Sequence, residues 1–324
     1  MIPYKKMDTL DSMNQLKLYG YNDYFNSFKT LYNNKKLPSV IMLSGPKGMG
    51  KATFAYHFIN YLLSKDENIK YSFENFEINE NNSAFKLMQN NTHPNFFLLD
   101  NKSSEEDIKI DTTKKLIQFL SKSTYSKNLK IVLIDNSEFL NISSSNALLK
   151  SLEEPPNNTF IFIINNTSSK ILNTIKSRSL EFKLHFNDDE KKNIFIELIK
   201  YYNLEVDSEE VFNKYIHYET PGNLLRYLII LSTFKPKPPT DPLSNIFYLI
   251  DKYKSKNDPF LLNFIALFIE YFYNNLSINN SNNLNIYFMN KYKILNLINN
   301  MKKFNLDKKN LLISIKTILE NEKR

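Results

Sequence analysis

Apolar positions along this chain change their period twice, and the changes divide it into regions. Up to about residue 37 the chain is polar, with Leu16, Leu18, Phe25, Phe28 and Leu31 at roughly helical spacing, which predicts helix. Short continuous apolar runs follow. Residues 40–43 (V-I-M-L) stop at Ser44-Gly45, residues 95–99 read N-F-F-L-L, and residues 131–134 end at Asp135. Residues 159–164 (T-F-I-F-I-I) end at Asn165-Asn166, and 180–184 form a fifth run. Runs this short and this apolar predict strands buried on both faces. Helical spacing fills the gaps at 52–63, 112–121, 144–152 and 170–176. Strands alternating with helices predict a mainly parallel sheet covered on both sides.

From about residue 186 the strand pattern ends. Residues 188–202, 208–217 and 223–231 read as helices. The segment Lys235-Pro236-Lys237-Pro238-Pro239-Thr240-Asp241-Pro242 cannot continue a helix and predicts a stiff linker. Residues 243–324 are helical by periodicity, with an Asn-rich interruption near 279–283. The expected plan is an α/β domain over 1–185, a small helical domain over 186–234, a linker at 235–242 and a helical domain over 243–324. The most apolar stretch, 260–276, holds Asn263 and Glu270. It reads as a core helix, because a membrane span needs ~20 apolar residues.

Composition narrows the chemistry. At roughly 100–200 residues per domain, 324 residues suggest two or three domains. Hydrophobic residues at 42% and charged residues at 23% exclude wholesale disorder. Cysteine is absent, which excludes disulfides, thiolate zinc sites, iron–sulfur clusters and a cysteine nucleophile. That fits a reducing compartment, and a cytoplasmic location is expected. The opening residues Met1 to Lys6 run into no apolar stretch, so no secretory signal is predicted. Forty-two Lys+Arg against 34 Asp+Glu leave +8, which permits a polyanionic partner, although the lysines are spread along the chain. His57, His93, His185 and His217 make no metal-ligand spacing, so no metal site is expected.

Three of the five glycines fall in one loop, Gly45-Pro46-Lys47-Gly48-Met49-Gly50-Lys51-Ala52-Thr53. It follows a predicted strand and opens a predicted helix, the setting of a P-loop. Glycines let backbone N–H groups approach phosphate oxygens, and Lys51 is placed to reach the terminal phosphates. The motif is incomplete. The hydroxyl that binds magnesium should follow Lys51, but Ala52 stands there, and Thr53 points about 100° further round. Asp135 ends the third strand and suits a magnesium ligand. Asn136 follows where a hydrolytic enzyme needs a carboxylate, and an amide is no base. Glu138 is close in sequence but is expected to leave the chain in another direction.

Further motifs carry a family resemblance. Ser145-Asn146-Ala147-Leu148-Leu149-Lys150-Ser151-Leu152-Glu153-Glu154-Pro155-Pro156 resembles the N-A-L-L-K-x-L-E-E-P-P signature of clamp-loader AAA+ subunits. Ile175-Lys176-Ser177-Arg178-Ser179 is similar to that family's T-I-x-S-R-C motif, and His93-Pro94-Asn95 to the H-P-D of its stator branch. The resemblance runs from about Tyr19 to Arg226. It implies an AAA+ P-loop domain with a five-stranded parallel sheet in the order 5-1-4-3-2, a helical lid and an all-α collar. It also implies a bacterial DNA polymerase III clamp loader, a heteropentamer with gamma/tau and delta subunits that places the sliding clamp on primed DNA, with no membrane contact.

The same resemblance marks departures. Ala52 and Asn136 lack the magnesium-binding and catalytic groups of the motor subunits. In Gly222-Asn223-Leu224-Leu225-Arg226, Leu225 stands where the lid's sensor arginine is expected, next to Arg226. The zinc cysteines of relatives are missing, and a polar segment over 64–91 replaces them, so no zinc is expected. A stator with a degenerate nucleotide site (Gly45, Gly48, Gly50, Lys51, Thr53, Asp135) is implied; weak ATP or ADP binding stays open, as does the alternative of an active gamma/tau-like ATPase. Arg178 is implied as an arginine finger reaching ATP on the neighbouring subunit. The plain alternative is a surface arginine paired with a local carboxylate. Lys170 and Thr174 are implied as DNA phosphate contacts, with an ordinary solvated face as the other reading. The adjacent Glu153 and Glu154 diverge by about 100° and read as a structural turn with interface contacts rather than paired catalysts.

Overall fold

The apolar runs pair into one sheet. In the computed structural model, residues 10–100, 108–122, 129–167, 171–204, 219–232, 241–256, 259–279, 283–304 and 308–322 are described. The strands are β1 (Val40–Gly45), β2 (Phe96–Leu99), β3 (Lys130–Ile134), β4 (Thr159–Asn166) and β5 (Leu180–Lys183). All pairings are parallel, in the order β2-β3-β4-β1-β5. Read from the opposite edge, this is the expected 5-1-4-3-2. Every residue of β1 and β3 is buried, as two-sided coverage requires. Successive side chains go to opposite faces: Ile41, Leu43 and Phe162 join one core, while Val40, Met42 and Ile163 join the other.

Helices α1 (Asn22–Asn33), α2 (Lys51–Leu63), α3 (Ser83–Gln89), α4 (Ile110–Ser121), α5 (Ile142–Glu153), α6 (Asn173–Lys176) and α7 (Asp188–Tyr201) lie among and after the strands. The N-terminal region is less helical than its spacing predicts. Among the described residues before α1 there is only a 3-10 turn, at Ser12–Asn14, and Lys17 bridges to Glu77 in antiparallel fashion. Helix α6 is a single turn starting at Asn173, because Leu172 before it is extended. The polar 64–91 segment is part of the core: Tyr71 stacks on Phe25 at 5.2 Å, and Ile78, Phe85 and Met88 are buried.

The chain divides into two compact units, residues 1–203 with 220–223, and residues 204–219 with 224–324. Helix α8 (Pro221–Ser232) begins in the first and continues in the second. The second holds α9 (Pro242–Lys256), α10 (Pro259–Asn279), α11 (Leu284–Phe304) and α12 (Lys308–Asn321). In α10, Phe264, Ile265, Phe268 and Ile269 are buried, and Tyr227 of α8 stacks on Phe264 at 4.2 Å. Among the described residues no helix is long and apolar enough to cross a membrane. The predicted helix at 208–217 and most of the Pro-rich 235–242 segment lie outside the described residues.

Candidate nucleotide site and arginine pair

The loop from β1 to α2 turns on Gly48 and Gly50, at φ +84° and +85°, backbone that side-chain-bearing residues rarely adopt. Tyr21 supports it from the core: its hydroxyl donates to the Met49 carbonyl at 2.8 Å. Lys51 opens α2 and is only 3% exposed. Its ammonium donates to the carbonyls of Gly45 (2.9 Å) and Pro46 (2.7 Å) and to Oδ1 of Asn166 (2.9 Å). An ammonium has three donors, and this chain occupies all of them. Burial lowers the Lys51 pKa to about 8, while Glu138 and Asp135 pull it upward.

Glu138 corrects the expectation from sequence. Asn136 adopts a left-handed conformation (φ +52°), tolerable for Asn, and a 3-10 turn at Ser137–Phe139 follows. The chain doubles back, so Oε1 of Glu138 accepts from Nδ2 of Asn166 at 2.6 Å. Its Oε2 is buried without a hydrogen-bond partner among the described residues. Asp135 is buried at the end of β3, and its Oδ1 accepts the Asn136 N–H at 2.8 Å. The Asn136 amide donates to Oδ1 of Asp100, at the end of β2, at 2.7 Å. Lys51, Asp135, Glu138 and Asn166 therefore meet at the carboxyl ends of β1, β3 and β4. Thr53 takes no part in this network.

The loop tip is held as well. The Lys47 carbonyl accepts from the Thr220 hydroxyl (2.9 Å) and from Nδ2 of Asn223 (3.3 Å), and the Gly48 carbonyl accepts the Gly222 N–H (3.1 Å). Contact is close: a Cβ on Gly48 would stand 2.2 Å from Oγ1 of Thr220, and one on Gly222 2.4 Å from the Gly48 oxygen. Leu225 is buried and Arg226 exposed. Sequence reasoning missed Asn166, Thr220 and Asn223, because isolated polar residues at a strand end and a helix start carry no periodic signal.

The second group lies around α6. Nε of Arg178 donates to Oε1 of Glu153 at 2.6 Å, and Nη2 donates to the same oxygen. Nη1 donates to the Thr174 carbonyl at 2.9 Å and lies 3.4 Å from the Ser177 hydroxyl. Within the single chain Arg178 is thus paired with a local carboxylate. Thr174 is exposed, and Lys170 lies outside the described residues. No group of three or more His, Asp or Glu among the described residues is arranged to hold a metal.

A magnesium nucleotide fits only part of this site. The glycine turns suit phosphate, but the Lys51 donors are taken, Ala52 offers no hydroxyl and Asn136 is turned to Asp100. The sheet order, the loop between β1 and α2 and the helical continuation define a P-loop AAA+ module. Residues 20–189 match the family described as "DNA polymerase III, delta subunit", and the chain belongs to that family. It is 33% identical over 140 residues to a Pseudomonas aeruginosa protein named DNA polymerase III subunit delta', covering 43% of this chain and 41% of that one. The Escherichia coli protein of the same name is 26% identical over 146 residues, covering 45% and 41%. A Buchnera aphidicola protein named DNA polymerase III subunit gamma is 31% identical over 125 residues, covering 38% and 34%. The matches to the two delta' relatives span under half of their length.

Proposed function

We propose that this chain is a delta-prime-type subunit of a bacterial DNA polymerase III clamp loader, acting as a stator that does not turn over ATP. In this reading it assembles with gamma/tau and delta subunits in the cytoplasm, helps place the sliding clamp on primed DNA, and lends Arg178 to a neighbour's ATP. One observation carries the stator reading: the Lys51 ammonium is fully engaged by two loop carbonyls and Asn166. A nucleotide has to displace those bonds, and it then meets neither a magnesium hydroxyl at 52 nor a carboxylate at 136. Each missing group removes orders of magnitude in rate. Weak ATP or ADP binding through the glycine loop is compatible with this role.

The alternative, an active gamma/tau-like ATPase, has Glu138 in its favour, since that carboxylate returns to the phosphate loop through Asn166. Incubating the purified chain with Mg-ATP separates the two. The stator reading expects no turnover above background. Turnover comparable to a motor subunit, abolished by Glu138→Gln, would establish the alternative.

A further inference from the structure

Glu153 and Arg178 are 25 residues apart and are mounted on the same core. Leu152, just before Glu153, and Ile175, three residues before Arg178, are both buried in the cluster beneath β3 and β4. Both side chains therefore project from anchored backbone rather than from a loose loop. A guanidinium has five N–H donors in a rigid fork. Glu153 takes the edge formed by Nε and Nη2, and the Thr174 carbonyl takes Nη1. Among the described residues the second N–H of Nη2 has no partner, and the Arg178 side chain is 29% exposed.

We infer that Glu153 is a positioning residue for Arg178: it fixes one edge of the guanidinium so that the outer edge meets a phosphate bound to a neighbouring subunit. This rests on the reading of Arg178 as a finger acting in trans. A finger works by stabilising charge in the transition state, so its geometry must be set before the partner arrives. A carboxylate on the inner edge does that without competing for the outer edge. It also keeps the long side chain from sampling its other rotamers.

Two measurements test the inference. In the isolated chain, phenylglyoxal modification of Arg178, followed by mass spectrometry, should be several-fold faster in Glu153→Gln than in the parent; an equal rate overturns the inference. The second uses a reconstituted loader whose motor subunits lack their own arginine of this motif, so that turnover reports the site Arg178 faces. Arg178→Ala should lower kcat on the order of 10³-fold. Glu153→Gln should lower kcat about tenfold with KM for ATP unchanged, and should add nothing in the Arg178→Ala background. Size-exclusion chromatography should show assembly intact in every variant. If Arg178→Ala is silent, the finger reading fails. If Arg178→Ala is damaging but Glu153→Gln is silent, activating, or equally damaging in both backgrounds, only the role of Glu153 fails.

Discussion

The Lys51 ammonium rests 2.9 Å from Oδ1 of Asn166, at the far end of a neighbouring strand. The other end of that amide donates to Glu138 at 2.6 Å. One amide therefore relays a buried cation to a carboxylate, with both of its polar atoms satisfied. In a working P-loop the lysine charge is held for phosphate. Here the fold supplies its own counter-groups, which explains how a nearly inaccessible ammonium is tolerated.

Burial still leaves a pH signature. The Lys51 pKa in the folded chain is about 8, below its ordinary 10.5. Between those values the folded chain holds fewer protons than the unfolded chain, so stability rises with pH across about 8 to 10.5. The full increment is about 3 kcal/mol. Urea unfolding of the parent and of Lys51→Met at pH 7.5 to 10.5, where other groups titrate alike, isolates it as a difference. Parallel curves for the two proteins would contradict the assignment.

His57 gives a second signature at the acid end. It is fully buried in α2, and its Nε2 lies 2.9 Å from the Gln15 carbonyl, which only accepts, so Nε2 carries the proton. Nδ1 then accepts from the Tyr71 hydroxyl at 3.1 Å. Burial lowers the His57 pKa to about 4 from 6.5. The unfolded chain binds the extra proton first, so this contribution is complete above pH 6.5 and is lost as pH falls toward 4. Replacing His57 with Gln keeps a donor and an acceptor without the titration. The variant should lose about 3 kcal/mol less than the parent between pH 7 and pH 4; equal acid losses would sink the prediction.

These buried groups mark where the sequence stops being informative. The strands were legible because V-I-M-L and T-F-I-F-I-I admit few alternatives once flanked by polar turns, and the P-loop because three glycines converge on Lys51. Its missing hydroxyl at Ala52 was equally plain. Glu138 was misread because its direction depends on the left-handed Asn136, a single backbone angle with no pattern of its own. A local carboxylate beside Arg178 was the plain alternative from sequence, but its identity as Glu153 was not legible, because the pair joins two motifs that sequence treats separately. The 64–91 segment looked like a polar insertion, yet a few aromatics, Tyr71 and Phe85 among them, suffice to tie it to the core.

The loop tip offers a direct test of its contacts with 220–223. Gly48 combines a positive φ with a neighbour 2.2 Å from any added Cβ, so Ala at this position is strained twice. Left-handed backbone alone costs Ala about 1 kcal/mol, and relieving the clash requires breaking the Thr220 bond to Lys47. Gly48→Ala should therefore lose more than about 1 kcal/mol in urea unfolding. Hydrogen exchange at the Gly222 N–H, which donates to the Gly48 carbonyl, should accelerate in the same variant. Unchanged exchange would mean that the loop and residues 220–223 are held apart from one another in solution.

Lys130 presents the opposite case, a buried lysine with a purely architectural task. It begins β3 and is 4% exposed. Its ammonium donates to the carbonyls of Phe119 (2.8 Å), Leu120 (2.9 Å) and Lys122, the unsatisfied end of α4. A cation there meets the negative end of the helix dipole as well as the orphan carbonyls. Burial lowers its pKa, but the carbonyls keep the charged form useful as a cap. Lys130→Met retains the aliphatic stem and removes only the charge and donors, leaving those carbonyls without this partner. The expected loss is about 2–4 kcal/mol by chemical denaturation, with helix signal falling first in α4 by hydrogen exchange. Lys130→Arg keeps charge and donors and should retain much of the cap. A Met variant as stable as the parent would show that water caps α4 equally well.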